Sequence, residues 1–211
     1  MDINKVAFTG STVTGRKIQE MAARSNLKRV SLELGGKSPF IIFEVSDEQL
    51  QKAAEDTAGS IFGNQGQSCC ASSRIFVHEN VHDKFVEKLK QIAESKVVGD
   101  PFNENTTNGA IISDVQFRKV LDYIDSGRKD GANVVTGGEK LPQKGYFVKP
   151  TIFTNVTDEM KIAKEEIFGP VVSILKFREL NDALKRANNT HYGLGTKDNQ
   201  FFVFYLHKFN F

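Results

Sequence analysis

Short apolar runs alternate with helical patterns from residue 37 to residue 195, and few folds are open to a chain patterned this way. Strand–helix alternation yields an α/β architecture with a mostly parallel sheet. Phe40–Phe43 reads as a fully buried strand. Ser46 with Gln49 has the spacing of a capping box, and the helix behind it turns Leu50, Ala53, Ala54, Ala58 and Ile61 inward. Arg74–His78 is a further strand. A charged helix follows with Phe85, Leu89, Ile92 and Ala93 inward, its Lys84, Lys88 and Lys90 facing solvent beside Glu87 and Glu94. Ser113 with Gln116 repeats the capping-box spacing, before a helix that presents Phe117, Val120, Leu121 and Ile124 and ends near Gly127. Tyr146–Thr154 and Val171–Phe177 are the longest later strands, and Leu184 and Ala187 belong to a final short helix.

Residues 1–36 read as one strand–helix–strand unit. Val6, Ala7 and Phe8 form the first strand and Gly10 to Gly15 a loop. The helix carries Ile18, Met21, Ala22 and Ser25 on one face, and Val30, Leu32 and Leu34 alternate as the second strand. A doubly wound nucleotide-binding sheet uses about five or six strands, so the unit is expected to be part of such a domain. Beyond residue 195 the pattern breaks: five of the last eleven residues are phenylalanine, without alternation. The expected organisation is a partial dinucleotide-binding domain (1–36), an α/β domain (37–195) and a divergent tail (196–211). The tail reads as a truncated or mis-spliced end, with an edge strand as the alternative.

Bulk properties exclude more than they select. A net charge of +2 over 211 residues argues for neither nucleic acid nor an anionic membrane as partner. The longest apolar stretch, Phe201–Leu206, is far short of the about 20 residues of a membrane span. Met1 to Lys5 runs directly into a strand pattern with no visible leader. Cys69 and Cys70 are adjacent and form no disulfide framework. A soluble, cytoplasmic protein is expected. His78, His82, His191 and His207 show no ligand spacing with either cysteine, so no metal site is expected.

Two glycine-rich segments carry the chemistry. One is Leu32-Glu33-Leu34-Gly35-Gly36-Lys37-Ser38-Pro39, the other Gly63-Asn64-Gln65-Gly66-Gln67-Ser68-Cys69-Cys70-Ala71. A thiol and a carboxylate in such loops suit covalent catalysis: the thiol attacks, and the carboxylate later takes a proton from water. Burial of Glu33 would raise its pKa toward working pH. Cys70, next along the chain, is read as a packing residue.

A third segment, Gly10-Ser11-Thr12-Val13-Thr14-Gly15, follows a strand and opens a helix, a geometry that offers N–H groups to a pyrophosphate. It brushes against the P-loop spelling, but Arg16 and Lys17 stand where Lys and Ser/Thr are needed, and the NTPase reading fails on its own motif.

The Glu33 and Cys69 segments together resemble the two signature patterns of the aldehyde dehydrogenase family, and Glu165-Glu166-Ile167-Phe168-Gly169-Pro170 is a third match. The likeness runs from about Lys5 to Leu194 and is strongest to its NAD-dependent cytosolic and mitochondrial branch. It implies a Rossmann-like NAD-binding domain, of which this chain holds a remnant, joined to the catalytic domain. It selects Cys69 as nucleophile, two residues after the glutamine, and Glu33 as general base. It implies NAD as cofactor, with Gly10, Ser11, Gly15, Leu34 and Gly35 among the contacts. Glu166 would bond the nicotinamide ribose and Phe168 pack beside the ring; from the residues alone these are a helix-end charge and a core aromatic. Gln116 and Lys119 correspond to a nucleotide-edge segment, with a solvated helix face as the equal alternative.

The activity implied is oxidation of an aldehyde to a carboxylic acid through a cysteine thiohemiacetal and thioester. Relatives also carry a Pro-Trp-Asn string whose Asn stabilises the oxyanion, and a later strand used for oligomerisation; this chain has no Trp. Weak activity or none is therefore expected of the chain alone, and the homo-oligomers of the full-length family are not expected here. Two other readings stand beside this one: a thiol esterase that needs no NAD, and a non-enzymatic relic that binds partners.

Overall fold

The structure, a computed structural model, describes residues 3–198. Its first unit is β1 (Lys5–Thr9), α1 (Thr12–Arg24) and β2 (Arg29–Glu33), the two strands pairing in parallel as a sheet of their own. Val6, Phe8, Val30 and Leu32 are half-buried, and the residues between them are exposed. The helix differs from its expected inward face: Ala22 is buried but Met21 is 70 % exposed. With only two strands beneath it, α1 can cover one narrow stripe, centred on Gly15 and Ala22.

The second sheet has the order β5-β6-β7-β4-β3-β8. Its members are β3 (Ser38–Ile42), β4 (Ser72–His78), β5 (Asn133–Thr136), β6 (Thr151–Thr154), β7 (Val171–Phe177) and β8 (Lys197–Asp198). All neighbours run parallel except β5 and β6. Helices cover both faces. On one side α2 (Asp47–Phe62) and α3 (Glu79–Glu94) pack Leu50, Ile61, Phe85 and Leu89 against Phe40, Ile42 and Ile75. On the other, α4 (Asp114–Lys129), the short α5 (Lys161–Lys164) and α6 (Leu180–Asn188) pack around Phe76, Phe153 and Leu175. The alternation of Ile75, Phe76 and Val77 between the two cores is the period-2 rule of a strand buried on both faces. No helix among the described residues is long and apolar enough to cross a membrane.

The Ser46 capping box is present in full: Ser46 Oγ accepts from Gln49 N–H, and Gln49 Oε1 accepts from Ser46 N–H. Gly59 sits exposed inside the same helix, with nothing within 4 Å of the point where a Cβ would stand. Gly59→Ala is therefore expected to raise stability by about 0.5–1 kcal/mol, read as a higher urea midpoint at unchanged slope.

Several expected elements shift, each for a local reason. The strand foreseen over Tyr146–Thr154 shrinks to β6, since Pro150 offers no N–H to a ladder and Lys140↔Val148 forms only an isolated bridge. Gly127 does not end α4; it lies inside it, where a Cβ would meet Phe153 and Ile162 at 3.0 Å. Lys88 does not simply face solvent but pairs with Asp47 at 3.0 Å, tying α3 to α2. β5 gave no sequence signal, being four residues long with a register shift. At the C-terminal side, β8 joins the edge of the sheet beside β3, and the phenylalanine-rich run from Phe201 lies outside the described residues.

Candidate active site

Three loops meet at one edge of the larger sheet. β3, β4 and β7 are neighbours running parallel, so their N-terminal ends lie side by side. The segment ahead of β3 is Leu34–Lys37, that ahead of β4 is Gln67–Ala71, and that ahead of β7 is Glu165–Pro170. Parallel pairing thus gathers the three sequence motifs although they are spread over most of the chain.

Cys69 sits half-buried in a braced loop. After α2 the chain makes a 3-10 turn (Gly63–Gly66) in which Asn64, Gln65 and Gly66 all have positive φ. Asn64 Nδ2 donates to Gln67 O at 3.0 Å, and Gln67 Oε1 accepts from Ile112 N–H at 2.9 Å. Ala71 N–H then closes a turn on Ser68 O at 3.2 Å. Cys70 is exposed, its sulfur 3.4 Å from Ser68 Oγ, which corrects the packing role expected of it. Ala71 takes the core position instead.

Gly36 is the contact that joins the loops. A Cβ placed there would lie 2.1 Å from the Cys69 carbonyl oxygen, so only glycine lets the two backbones approach this closely. Its N–H donates to Glu166 Oε1 at 3.0 Å. A Cβ on Gly35 would lie 2.4 Å from Glu166 Oε2. One Gly-Gly pair therefore touches both the cysteine loop and the Glu166 carboxylate.

Glu33, three residues ahead of Gly36, ends β2, and its carbonyl accepts from Gly10 N–H at 3.0 Å. Its side chain is exposed. The alternation of the two-stranded sheet turns Val30 and Leu32 inward and Glu33 outward.

Phe168 lines a narrow crevice with Gly36, Ser68 and Glu166, and holds a left-handed φ of 59°. Gln116 supports that conformation: its Nε2 donates to Ile167 O at 2.9 Å and Phe168 O at 2.8 Å. Ser113 still caps α4 through Gln116 N–H, but the Gln116 side chain is drawn to this turn, leaving half a capping box. Lys119 lies elsewhere, over the Tyr123 ring at 5.7 Å in a surface depression shared with Lys161.

Ser11 caps α1, its Oγ accepting from Thr14 N–H at 3.3 Å. The expected loop is shorter than its sequence limits, because Gly15 falls in the first turns of α1, where a Cβ would strike the Leu34 side chain at 2.6 Å. Gly15 and Leu34 thus set the spacing of helix and strand. The first turn of α1 carries no acidic residue, so its positive end opens toward an anion without a competing carboxylate.

Two charged residues that were assigned no role from the sequence lie behind these loops. Lys37 is buried, and burial with the nearby Arg74 pushes its ammonium down to about 7, against the pull of Glu166 and Glu165. Arg74 on β4 is buried too, which lowers its pKa to about 10. It donates from Nε to Lys37 O at 3.0 Å and from Nη2 to Ala187 O at 2.8 Å. A charged residue at the start of a buried strand is the signal that would have found either.

Comparison with known proteins gives the family of the chain. Residues 1–197 match the model of the aldehyde dehydrogenase family. The chain is 55 % identical over 194 residues to mitochondrial benzaldehyde dehydrogenase of Antirrhinum majus, covering 92 % of this chain and 36 % of that protein. To aldehyde dehydrogenase 1A1 of Homo sapiens it is 54 % identical over 202 residues, 94 % of this chain and 40 % of the relative. The NAD+ complex of an aldehyde dehydrogenase from Bacillus cereus superposes with a TM-score of 0.89 at 42 % identity, over 96 % of this chain and 45 % of that one. The chain thus spans well under half the length of these relatives, and it belongs to the aldehyde dehydrogenase family.

Proposed function

We propose that this chain carries the thiol and base of an NAD-dependent aldehyde oxidation, with Cys69 as nucleophile and Glu33 as general base. The observation that carries the reading is Gly36, packed on the Cys69 carbonyl and bonded to Glu166 while lying three residues from Glu33. A bound dinucleotide would supply the hydride acceptor for the cysteine adduct. The family likeness to NAD+-bound structures supports it as the cofactor. The residues present fit such a group: α1 offers an uncontested positive end, Ser11 and Gly10 its approach, and Glu166 a carboxylate for ribose hydroxyls. Phe168 supplies an apolar face across the same crevice.

The chain's own work divides as follows. The Cys69 sulfur adds to the aldehyde carbon, forming a C–S bond and a thiohemiacetal. Loss of hydride leaves a thioester on that sulfur. Glu33 takes a proton from water, the hydroxyl attacks the acyl carbon, the C–S bond breaks, and the carboxylic acid departs. Glu33 is exposed at the end of β2, its backbone held by Gly10 N–H. Residues 1–36 and 37–195 would serve the dinucleotide and the thiol respectively.

The test uses three assays on purified chain: alkylation of Cys69, cleavage of a 4-nitrophenyl ester, and NADH formation with an aldehyde. Cys69 is expected to alkylate faster than Cys70, NAD to slow that reaction, and Cys69→Ala to abolish any ester cleavage or NADH formation. Ester cleavage that NAD leaves untouched would favour the esterase. A Cys69→Ala variant with full activity sinks the assignment.

A further inference from the structure

The turn that delivers Cys69 concentrates left-handed backbone. Asn64 and Gln65 have φ of 47° and 55°, the one consecutive pair of non-glycine residues with positive φ among those described, and Gly66 follows at 69°. Asparagine tolerates this region, but glutamine has nothing to gain from it. Such a conformation persists only where its surroundings over-determine it. One side of the turn rests on main chain: a Cβ on Gly66 would lie 2.0 Å from the Gly169 carbonyl oxygen.

Gln67 holds the other side. It has no part in the steps above, yet both ends of its carboxamide are engaged. Nε2 donates to Asn64 O at 3.2 Å, beside the Gln67 main-chain N–H at 3.1 Å, and Asn64 Nδ2 donates back to Gln67 O at 3.0 Å. Oε1 accepts from Ile112 N–H at 2.9 Å. The Ile112 end is a fixed point. Ile111 is 2 % exposed and its N–H donates to Tyr146 O at 2.8 Å. Asn108, buried, donates from Nδ2 to Phe62 O at 2.7 Å, where α2 ends. These bonds secure residues 108–112 without Gln67, and Gly169 supports the turn without it. The carboxamide therefore bridges two parts that each stand by themselves, and Cys69 follows two residues later with its carbonyl on Gly36.

We propose that Gln67 is a positioning residue for the Cys69 thiol: its carboxamide ties the left-handed Asn64–Gly66 turn to the fixed 108–112 segment and so keeps Cys69 seated on Gly36. The inference rests on Cys69 being the reactive thiol. Without the tie, Gln65 is free to leave the left-handed region, and the residues after it shift with the turn. The fold has little stake in this, because the bonds of Asn108 and Ile111 remain. A residue needed only for packing would behave differently: its loss would be felt in stability, and relief of backbone strain two residues away would not repair it.

The experiment measures iodoacetamide modification of the ligand-free chain, with fragment-ion mass analysis to separate Cys69 from its neighbour Cys70, and reads the ratio of the two rates. Gln67→Met keeps the bulk of the side chain and loses both bonds; it is expected to lower the ratio about 10-fold, the shift that losing two hydrogen bonds produces, at a nearly unchanged urea midpoint. Gln67→Glu still accepts from Ile112 N–H and is expected to stay within about 2-fold of wild type. Gln65→Gly, added to Gln67→Met, is expected to recover about 3-fold of the loss, since glycine holds a positive φ without strain. A Gln67→Met ratio equal to that of the wild type overturns the inference, and so does failure of that variant to fold, which would make Gln67 a residue of the fold. Gln67→Glu behaving like Gln67→Met, or no recovery with Gln65→Gly, overturns it too, by removing the tie to Ile112 or the strain it restrains. A wild-type chain with no preference for Cys69 fails the thiol reading and this inference together; a preference that Gln67→Met leaves intact fails this inference alone.

Discussion

Gly36→Ala is expected to lower the rate of Cys69 alkylation and of any Cys69-dependent ester cleavage by about 100-fold, the usual result of displacing a reacting group by about 1 Å. The added methyl would sit 2.1 Å from the Cys69 carbonyl oxygen, far inside van der Waals contact. Neither partner can yield cheaply. The obstacle is main chain, and the cysteine loop behind it is braced by Asn64, Gln67 and the Ala71–Ser68 turn. Gly36 cannot retreat either without giving up the 3.0 Å bond to Glu166. Gly35→Ala makes the informative comparison. Its methyl meets the end of the Glu166 side chain at 2.4 Å, and a side-chain end can rotate away. A smaller loss is expected there, with weaker protection by NAD as its mark. Gly59→Ala, in open space on α2, should leave reactivity unchanged. The order Gly36, Gly35, Gly59 is the result to look for, with circular dichroism to show that each variant is folded. A Gly36→Ala chain that reacts at Cys69 at the wild-type rate would mean that the seat of Cys69 on Gly36 does not control the thiol.

What could be read from the sequence was mostly what is decided within one turn or one strand. The Ser46–Gln49 box, the inward face of α2 and the strand Val171–Phe177 follow from neighbours a few residues apart, and each is present in the structure. Where a distant group competes, local rules lose. Gln116 has capping-box spacing, but its amide goes to two carbonyls more than 50 positions along the chain, because the left-handed Phe168 needs them held. Met21 has the period of a core residue, but the sheet under α1 is too narrow to reach it. Gly127 looks like a helix stop and is instead a point of close packing against Phe153.

The site shows the same division. The Gly-Gly pair announced that some backbone comes near, without saying which one. Its two neighbours, the Cys69 carbonyl and Glu166, are brought to it by the parallel order β7-β4-β3. Lys37 and Arg74 escaped notice for a related reason. A charge at the start of a buried strand makes sense only once the groups across the sheet are known.

Arg74→Met should lower the stability of the whole chain by about 3–5 kcal/mol, the combined effect of main-chain carbonyls that lose their donor at about 1–3 kcal/mol each. Arg74 is 3 % exposed and reaches three main-chain acceptors. These are Lys37 O through Nε at 3.0 Å, Arg186 O through Nη1 at 3.4 Å and Ala187 O through Nη2 at 2.8 Å. The last two lie in the final turn of α6, where the carbonyls carry the negative end of the helix dipole and Arg186 O also accepts from Asn189 N–H at 3.1 Å. An arginine of β4 therefore closes a helix on one side and pins the start of β3 on the other. Methionine keeps the volume of the stem but supplies no donor, leaving carbonyls buried at about 1–3 kcal/mol each. Lysine keeps the charge, but a single ammonium cannot serve three acceptors that the planar guanidinium spans, so Arg74→Lys should recover only part of the loss. Urea unfolding at constant slope reads the change directly. Because Arg74 also holds Lys37, and through it Gly36, loss of Cys69 reactivity should accompany the loss of stability in Arg74→Met even well below its unfolding midpoint. A variant less than about 1 kcal/mol weaker than wild type, within the range of ordinary surface changes, would show that these carbonyls find other partners and that β4 does not hold the edge where the thiol sits.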